Sequence, residues 1–303
     1  MTSPFAIPSV SNDELLALES RIQQAQRERS VDGLKVFGFG EVSIAIGWPT
    51  NDPRFIAKRL IPMPDAELIE APLRAIEAFV DQVHSRGGKV LPTETRRITR
   101  ADGQHVGYVV QPIVPRDMLA ETMLKGEPEA FHPLLVAVRD FVVACGGDDV
   151  ALDAQIPNFA WTDGEVWLLD VTSPASFDSA GRLVCSTLDL SKQLVPAVLG
   201  PVLDKASRDI FKQYRGVRGA LMQVVVFLHR VGADAWVGAA IETFNEVLEV
   251  PIDPQVVHER WEQNQKDFLR VKKLVQLQRA WQEKVRRRPF EYLITDSFSG
   301  EVL

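Results

Sequence analysis

The stretch ALDAQIPNFAWTDGEVWLLDVTSP, residues 151–174, places three polar residues in a setting otherwise built like a protein core. Asn158 follows Asp153 by five positions, and Asp170 follows Asn158 by twelve. Apolar residues on both sides of the turn TDGE predict two short strands joined as a hairpin. Asn158 and Asp170 would then lie near the same hairpin mouth. The apolar run before Asp170 predicts a packed strand that fixes a carboxylate at its end.

These three polar residues favour metal and hydroxyl chemistry. Carboxylate and amide oxygens suit a hard cation such as Mg²⁺, which makes Asp170 and Asn158 candidate ligands of a metal held by nucleotide phosphates. Asp153 could accept or orient the proton of an attacking hydroxyl group.

The residues before this stretch predict a β-rich half. A capping-box pattern at Ser11 and Glu14 opens a helix that continues to about Arg29. Apolar runs flanking a glycine turn predict a hairpin, and further strands and one helix follow. The predicted ranges are 34–48 for the hairpin, 54–62 for a strand, 65–86 for a helix, and 88–100 and 105–114 for strands.

The remaining residues predict a helix-rich half. Helical patterns cover 117–125 and 129–145, and 188–289 is mostly helical, with breaks near Gly200-Pro201, Gly232 and Pro251 to Pro254. Pro112 and Pro115 would stiffen a connector between the halves. We therefore predict an α+β, bilobal chain with a helical extension at 1–33, a β-rich lobe at 34–111 and a helix-rich lobe at 112–303.

The segment GFGEVS, residues 38–43, contains two glycines that can let a backbone approach a ligand closely. A dinucleotide fingerprint would need a helix directly afterwards, but the following residues predict a strand, so that interpretation is rejected. A glycine turn in a hairpin can instead cover phosphates. A plain hairpin turn remains the alternative.

Lys58 stands in the apolar strand FIAKRL, where a buried ammonium needs a partner or a route to water. Glu77 lies on the next predicted helix, and its carboxylate could reach Lys58 and hold it towards a phosphate. The alternatives are an outward-facing lysine on a half-exposed strand and a solvated glutamate on a helix surface.

Together these residues resemble the protein-kinase-like superfamily, and most of all its small-molecule phosphotransferase branch, typified by aminoglycoside phosphotransferases. Kinases carry a glycine-rich loop, a strand lysine, a helix glutamate, a D-x-x-x-x-N loop and a metal-binding aspartate in that order. The matching positions, which span about 34–174, are Gly38 to Ser43, Lys58, Glu77, Asp153 to Asn158, and Asp170.

The resemblance implies a role for each of these positions in binding ATP and Mg²⁺. Lys58, clamped by Glu77, would hold the α- and β-phosphates, while Asp170 and Asn158 would bind Mg²⁺ and Asp153 would act as the catalytic residue that orients the nucleophile. The segment YVVQPIV would be a hinge that holds adenine through backbone hydrogen bonds. The remaining cofactor-binding positions are Gly38, Gly40 and Ser43 in the loop, and Gln111 and Ile113 in the hinge.

The chain also departs from the kinase pattern. Ala151-Leu152 replaces His-Arg before the catalytic aspartate, Val171-Thr172 replaces Phe-Gly after the metal aspartate, Gln155 stands where many kinases carry lysine, and Ser43 replaces the third glycine. No A-P-E segment follows. These changes disfavour a protein kinase. They leave a small-molecule phosphotransferase, a nucleotidyl transferase and a non-catalytic kinase-like module that works through protein partners.

Composition and local patterns narrow the classes of function and of binding partner. A net charge of −7 argues against nucleic acid as the main partner. Cys145 and Cys185 give neither a disulfide framework nor a metal-ligand spacing, and their apolar settings predict buried thiols. No window approaches the ~20 apolar residues of a membrane span, and no signal peptide is recognised. We expect a cytoplasmic protein that acts on a hydroxyl of a small molecule.

Overall fold

A computed structural model describes residues 4–39, 44–185, 187, 190, 200–287 and 290–291, and its first half is built on a five-stranded sheet. Neighbouring strands are all antiparallel. The order in the sheet is β1 (Lys35–Phe39), β2 (Ile44–Trp48), β3 (Phe55–Arg59), β5 (His105–Gln111), β4 (Glu94–Thr99).

Helix α1 (Asn12–Glu28) begins at the capping box that the sequence predicts. The Ser11 hydroxyl accepts from the Glu14 amide at 3.2 Å, and the Glu14 carboxylate accepts from the Ser11 amide at 2.9 Å. The helix ends where Arg29 takes a left-handed conformation with φ 55°. Helix α2 (Ala66–Ser85) begins at Asp65, whose carboxylate accepts from the Glu67 amide.

The two helices cover opposite faces of the sheet because side chains alternate along each strand. On β5, Tyr108 and Val110 pack in one cluster with α1, whereas Val109 packs in another with α2. The same alternation on β3 sends Arg59 towards α1 and Lys58 towards the opposite face. We call β1–β5 with α1 and α2 the sheet half.

The second part, called here the helical half, contains short β-ladders and five helices within the described residues. The ladders are a two-stranded hairpin, in which β7 (Phe159–Thr162) pairs with β8 (Glu165–Leu168), and a three-stranded sheet, in which β9 (Ala175–Phe177) lies between β10 (Leu183–Val184) and β6 (Val150–Ala151). The helices are α3 (Pro133–Cys145), α4 (Gly200–Gln213), α5 (Gly216–Arg230), α6 (Ala235–Asn245) and α7 (Pro254–Ala280), followed by a π-turn at Trp281–Val285.

The predicted α+β class is confirmed, and several boundaries differ. The expected helix over 117–125 is two short 3₁₀ helices, Arg116–Met118 and Ala120–Leu124. The helix expected from 129 begins at Pro133, because His132 caps it and proline suits the first helical turn. A break before Gly216, whose φ is 72°, was not predicted. Residues 188–189 and 191–199 lie outside the described residues.

Candidate functional site

The centre of the candidate site is an ion pair between the two halves of the chain. Lys58 projects from β3, and Asp170 follows the end of β8. The Lys58 ammonium lies 3.0 Å from Asp170 Oδ1 and also donates to the Leu169 carbonyl at 3.1 Å. The Lys58 side chain is 12% exposed and that of Asp170 is 33% exposed, so the carboxylate is the more accessible partner.

Asp170 is held as a carboxylate by donors that converge on one oxygen. Besides Lys58, both the amide and the hydroxyl of Thr172 donate to Oδ1, at 3.1 and 2.8 Å. Burial opposes ionisation, but the Lys58 charge and the Thr172 hydrogen bonds outweigh it and lower the pKa of Asp170. The donors among the described residues all bind Oδ1, which leaves Oδ2 able to bind a ligand.

Gln111, the last residue of β5, also binds the segment that carries Asp170. Its side-chain amide donates to the Leu169 carbonyl at 2.9 Å and to the Thr93 hydroxyl at 3.0 Å. The Leu169 carbonyl therefore accepts from both Gln111 and Lys58. This places the Gln111 side chain at the junction that carries Asp170; the predicted contact of its backbone with adenine stays a prediction.

The loop from Asp153 to Asn158 is tied to the strand end that carries Asp170. The Asn158 side chain donates to the Asp153 carbonyl at 3.1 Å, and the Asn158 carbonyl accepts from the Leu169 amide at 2.7 Å. Gln155 donates to Asp153 Oδ1 at 2.6 Å. The hairpin prediction is confirmed by the pairing of Phe159 with Leu168. A separate pairing of Ala151 with Ala175 brings the outer ends of the stretch together.

Glu77 is placed differently from the sequence prediction. It is exposed on α2, and its carboxylate accepts from the Thr95 hydroxyl of β4. The expected ion pair between Lys58 and Glu77 is not formed, and Asp170 takes its place. The reason is geometric, because Ile76 and Phe79 occupy the core-facing positions of α2 around Glu77.

The glycine segment is only partly described. Gly38 lies in β1, paired with Ala45 beside an irregularity in the β1–β2 register, and a side-chain carbon added there would meet open space. Gly40 and Ser43 lie outside the described residues. The phosphate-covering role predicted for all three stays a prediction.

Ile113 lies in the connector between the halves and lines a cleft of about 410 Å³. Pro4, Phe5 and Ala6 line the same cleft, whereas Lys58, Asp153, Asn158 and Asp170 do not. Phe5 is buried and packs edge-on against Trp167 of β8, with ring centroids 5.5 Å apart. The packing of this N-terminal segment next to the connector was not predicted, and no local pattern in MTSPFAIPSV marks it.

Sequence reasoning also missed two supporting residues. Thr172 binds the Asp170 carboxylate, and its position two residues later, where Asp side chains often accept such bonds, is a signal that could have found it. Gln155 binds Asp153, two residues before it, and this contact follows no standard turn pattern.

The residues present fit a magnesium ion bound together with phosphate oxygens. Asp170 and Asn158 each have a side-chain oxygen suited to a hard cation, and Mg²⁺ is commonly bound by one or two protein ligands plus substrate phosphates. The described residues contain no group of three or more His, Cys, Asp or Glu side chains able to hold a metal by themselves. The described residues therefore show no metal site formed by such side chains alone.

Comparison with known proteins gives a family and no activity. No curated protein matches the chain. Among solved structures, the chain is similar to WaaP in complex with acyl carrier protein, with 14% sequence identity over 70% of this chain and 90% of that chain and a TM-score of 0.31, which is too low to support an argument. None of the described helices has the length and apolarity needed to cross a membrane. The family model DUF6206, a family of unknown function, matches residues 17–279, and the chain belongs to that family.

Proposed function

We propose that this protein is an ATP- and Mg²⁺-dependent phosphotransferase with a bilobal, kinase-like arrangement, and that its acceptor is a hydroxyl group of a small molecule. The observation that carries the proposal is the Lys58–Asp170 ion pair at 3.0 Å, which joins β3 of the sheet half to the end of β8. A cation and a carboxylate meeting between the halves, next to the Asp153–Asn158 loop, support phosphate and metal binding at this junction.

Lys58 has hydrogen-bonding capacity left for a phosphate. An ammonium has three donors, and the contacts with Asp170 and Leu169 account for two of them. Its third donor can bind a phosphate oxygen without breaking either contact. The adjacent carbonyl and carboxylate hold the ammonium in place before the nucleotide arrives.

Asp170 and Asn158 would hold the metal. The metal would neutralise charge on the phosphates, and Asp170 is kept ionised for this task by its lowered pKa. The donors to Asp170 meet at Oδ1, which fixes the carboxylate with Oδ2 available. Asn158 is oriented by its own hydrogen bond to the Asp153 carbonyl.

Asp153 would accept or orient the proton of the acceptor hydroxyl. Gln155 holds one of its carboxylate oxygens at 2.6 Å, which restricts rotation of the side chain. A positioned base of this kind contributes ~10²–10⁴ in rate.

The test is phosphate transfer from ATP to a panel of hydroxyl-bearing small molecules, in Mg²⁺ and after chelation. We expect Asp153→Asn to lower kcat by about 10²-fold or more with little change in stability. Asp163→Asn is the matched control, because Asp163 is exposed in the turn of the same hairpin and its φ of 53° suits asparagine. Activity that survives Asp153→Asn unchanged contradicts the assigned role.

A non-catalytic module is the second candidate function. The observation in its favour is that Glu77 pairs with Thr95 and not with Lys58, so one element of the kinase pattern is not assembled. This candidate predicts Mg²⁺-dependent nucleotide binding without turnover, or no binding at all. Transfer of a nucleotidyl group, a third outcome, is recognised by release of pyrophosphate from ATP.

A further inference from the structure

A buried ionic cluster lies on the face of the sheet opposite Lys58. Glu19 of α1 is 2% exposed, and the side chains of Arg59 and Arg100 are 7% and 8% exposed. Arg59 grips both carboxylate oxygens of Glu19 at 2.7 Å, and the buried Tyr108 hydroxyl donates to Glu19 at 2.5 Å. Such a paired geometry is strong because both hydrogen bonds are charge-assisted.

Glu291 enters this cluster from the other end of the chain. Its carboxylate lies 2.9 Å from Arg59 and 3.1 Å from Arg100. Its main-chain carbonyl accepts from Arg59 at 2.6 Å and from Gln26 of α1 at 2.8 Å. Glu291 therefore binds the cluster through both its carboxylate and its backbone carbonyl.

The preceding residue is buried in a different place. Phe290 is 5% exposed and belongs to the large core cluster, which α2 of the sheet half shares with α3, α5 and α6 of the helical half. The Arg279 guanidinium of α7 lies over its ring, 5.6 Å from the centroid. Two consecutive residues, Phe290 and Glu291, thus join the large core cluster and Arg279 of α7 to the ionic cluster of the sheet half, and we call this pair the clasp.

Lys58 and the clasp residue Glu291 are connected through Arg59, the neighbour of Lys58 on β3. Arg59 points to the opposite face, so holding Arg59 limits movement of the strand that carries Lys58. Without the Glu291 carboxylate, Arg59 Nη2 and Arg100 Nη1 each lose one carboxylate partner and keep Glu19, in a site largely closed to water. Removing a carboxylate from between two buried guanidinium groups is costly, which favours local loosening of the contact between α1 and β3.

We propose that the clasp is a positioning element for Lys58: Glu291 fixes Arg59, and Arg59 fixes the register and orientation of β3 at the nucleotide site. The part of this inference that concerns nucleotide affinity rests on the proposed function. The part that concerns β3 does not.

The test compares the full chain with its Glu291→Gln variant, which keeps the shape of the side chain and removes its charge. Hydrogen exchange of the β3 amides is measured first, and Mg²⁺–ATP affinity second. We expect exchange of the amides of Phe55–Arg59 to become faster, and nucleotide affinity to fall by about tenfold, roughly 1.4 kcal/mol. Gln26→Ala, which removes only a hydrogen bond to the Glu291 carbonyl, should shift both quantities less and in the same direction.

Two controls separate positioning from general destabilisation. Glu70→Gln removes a comparable carboxylate, paired with Arg97 at 2.5 Å on a more exposed surface of the same half, and should change neither quantity. Ile252→Val shortens a buried side chain just before the start of α7, whereas Arg279, which packs on Phe290, lies near the end of that helix; this variant should lower Tm without selective acceleration of β3 exchange.

The outcomes are distinct. If β3 exchange is unchanged in Glu291→Gln, or is accelerated only as much as in Ile252→Val at matched stability, the clasp does not hold β3 and the inference is refuted. Faster β3 exchange with unchanged nucleotide affinity overturns its positioning role. If the wild-type protein binds no nucleotide, the proposed function fails, while the exchange comparison still decides whether the clasp holds β3.

Discussion

A double-mutant cycle on Lys58 and Asp170 should give a coupling free energy that is substantial at neutral pH and absent in acid. The variants are Lys58→Met, Asp170→Asn and the double substitution. At 3.0 Å, Coulomb's law gives about 1.4 kcal/mol in bulk water and about 5.5 kcal/mol at an effective dielectric constant of 20. Asp170 is one-third exposed, and desolvation offsets part of the attraction. We therefore expect a coupling free energy of about 2 kcal/mol, within the range found for contacting residues.

The pH dependence follows from the direction of the Asp170 pKa shift. The folded-state pKa is lowered, so the stabilisation is fully present above the unfolded-state value of about 3.9 and is lost as the pH falls through the folded-state pKa. The coupling should fade in the same window. Urea unfolding of the four proteins at pH 7 and across the acid range gives the free energies.

The Lys89–Glu165 pair, whose carboxylate lies on β8, is the control for this cycle. Its charges are more exposed, with side chains 29% and 45% accessible, and exposed pairs contribute about 0.2–1 kcal/mol. A coupling between Lys58 and Asp170 no larger than this control, or one that persists unchanged in acid, would refute the reasoning.

Three further predictions concern residues outside the candidate site. Glu19→Gln should lower the free energy of unfolding by about 3–5 kcal/mol in urea titrations, since it leaves Arg59 and Arg100 with fewer buried acceptors; a loss below about 1 kcal/mol would contradict a closed ionic cluster. Burial raises the pKa of the Cys145 thiol to about 11, so alkylation at pH 8, followed by mass spectrometry, should be slow in the folded chain and fast after unfolding. Equal rates in both states would show that this thiol is accessible. Gly88→Ala should destabilise by about 1–3 kcal/mol in thermal unfolding, because the new carbon would lie 2.3 Å from the Cys145 sulfur; an unchanged Tm would show that the two segments separate at little cost.

Local patterns predicted local structure well. The capping box at Ser11 and the hairpin between Asn158 and Asp170 were predicted because hydrogen bonds and strand pairing over a few residues leave a recognisable signature. The helix over 117–125 was wrong because apolar spacing alone does not distinguish an α-helix from successive 3₁₀ turns.

Long-range partners were not predictable in the same way. The sequence marks Lys58 as a lysine that needs a partner, but the choice between Glu77 and Asp170 depends on the rotation of α2 about its axis. Arg59 and Glu291 are 232 positions apart in the sequence, and no local residue pattern predicts a contact over that separation. The roles of Gly40 and Ser43 stay predictions because both lie outside the described residues.

The most direct test of the central claim is the thermal stability of the purified protein with ATP, with and without Mg²⁺, beside Lys58→Met and Asp170→Asn. A ligand that binds only the folded state at 100 times its Kd stabilises it by about 2.7 kcal/mol, which is visible as a rise in Tm. We predict a Mg²⁺-dependent rise in the wild-type protein that is lost in both variants. No rise at millimolar ATP, or an equal rise in all three proteins, would contradict a nucleotide site at the Lys58–Asp170 junction.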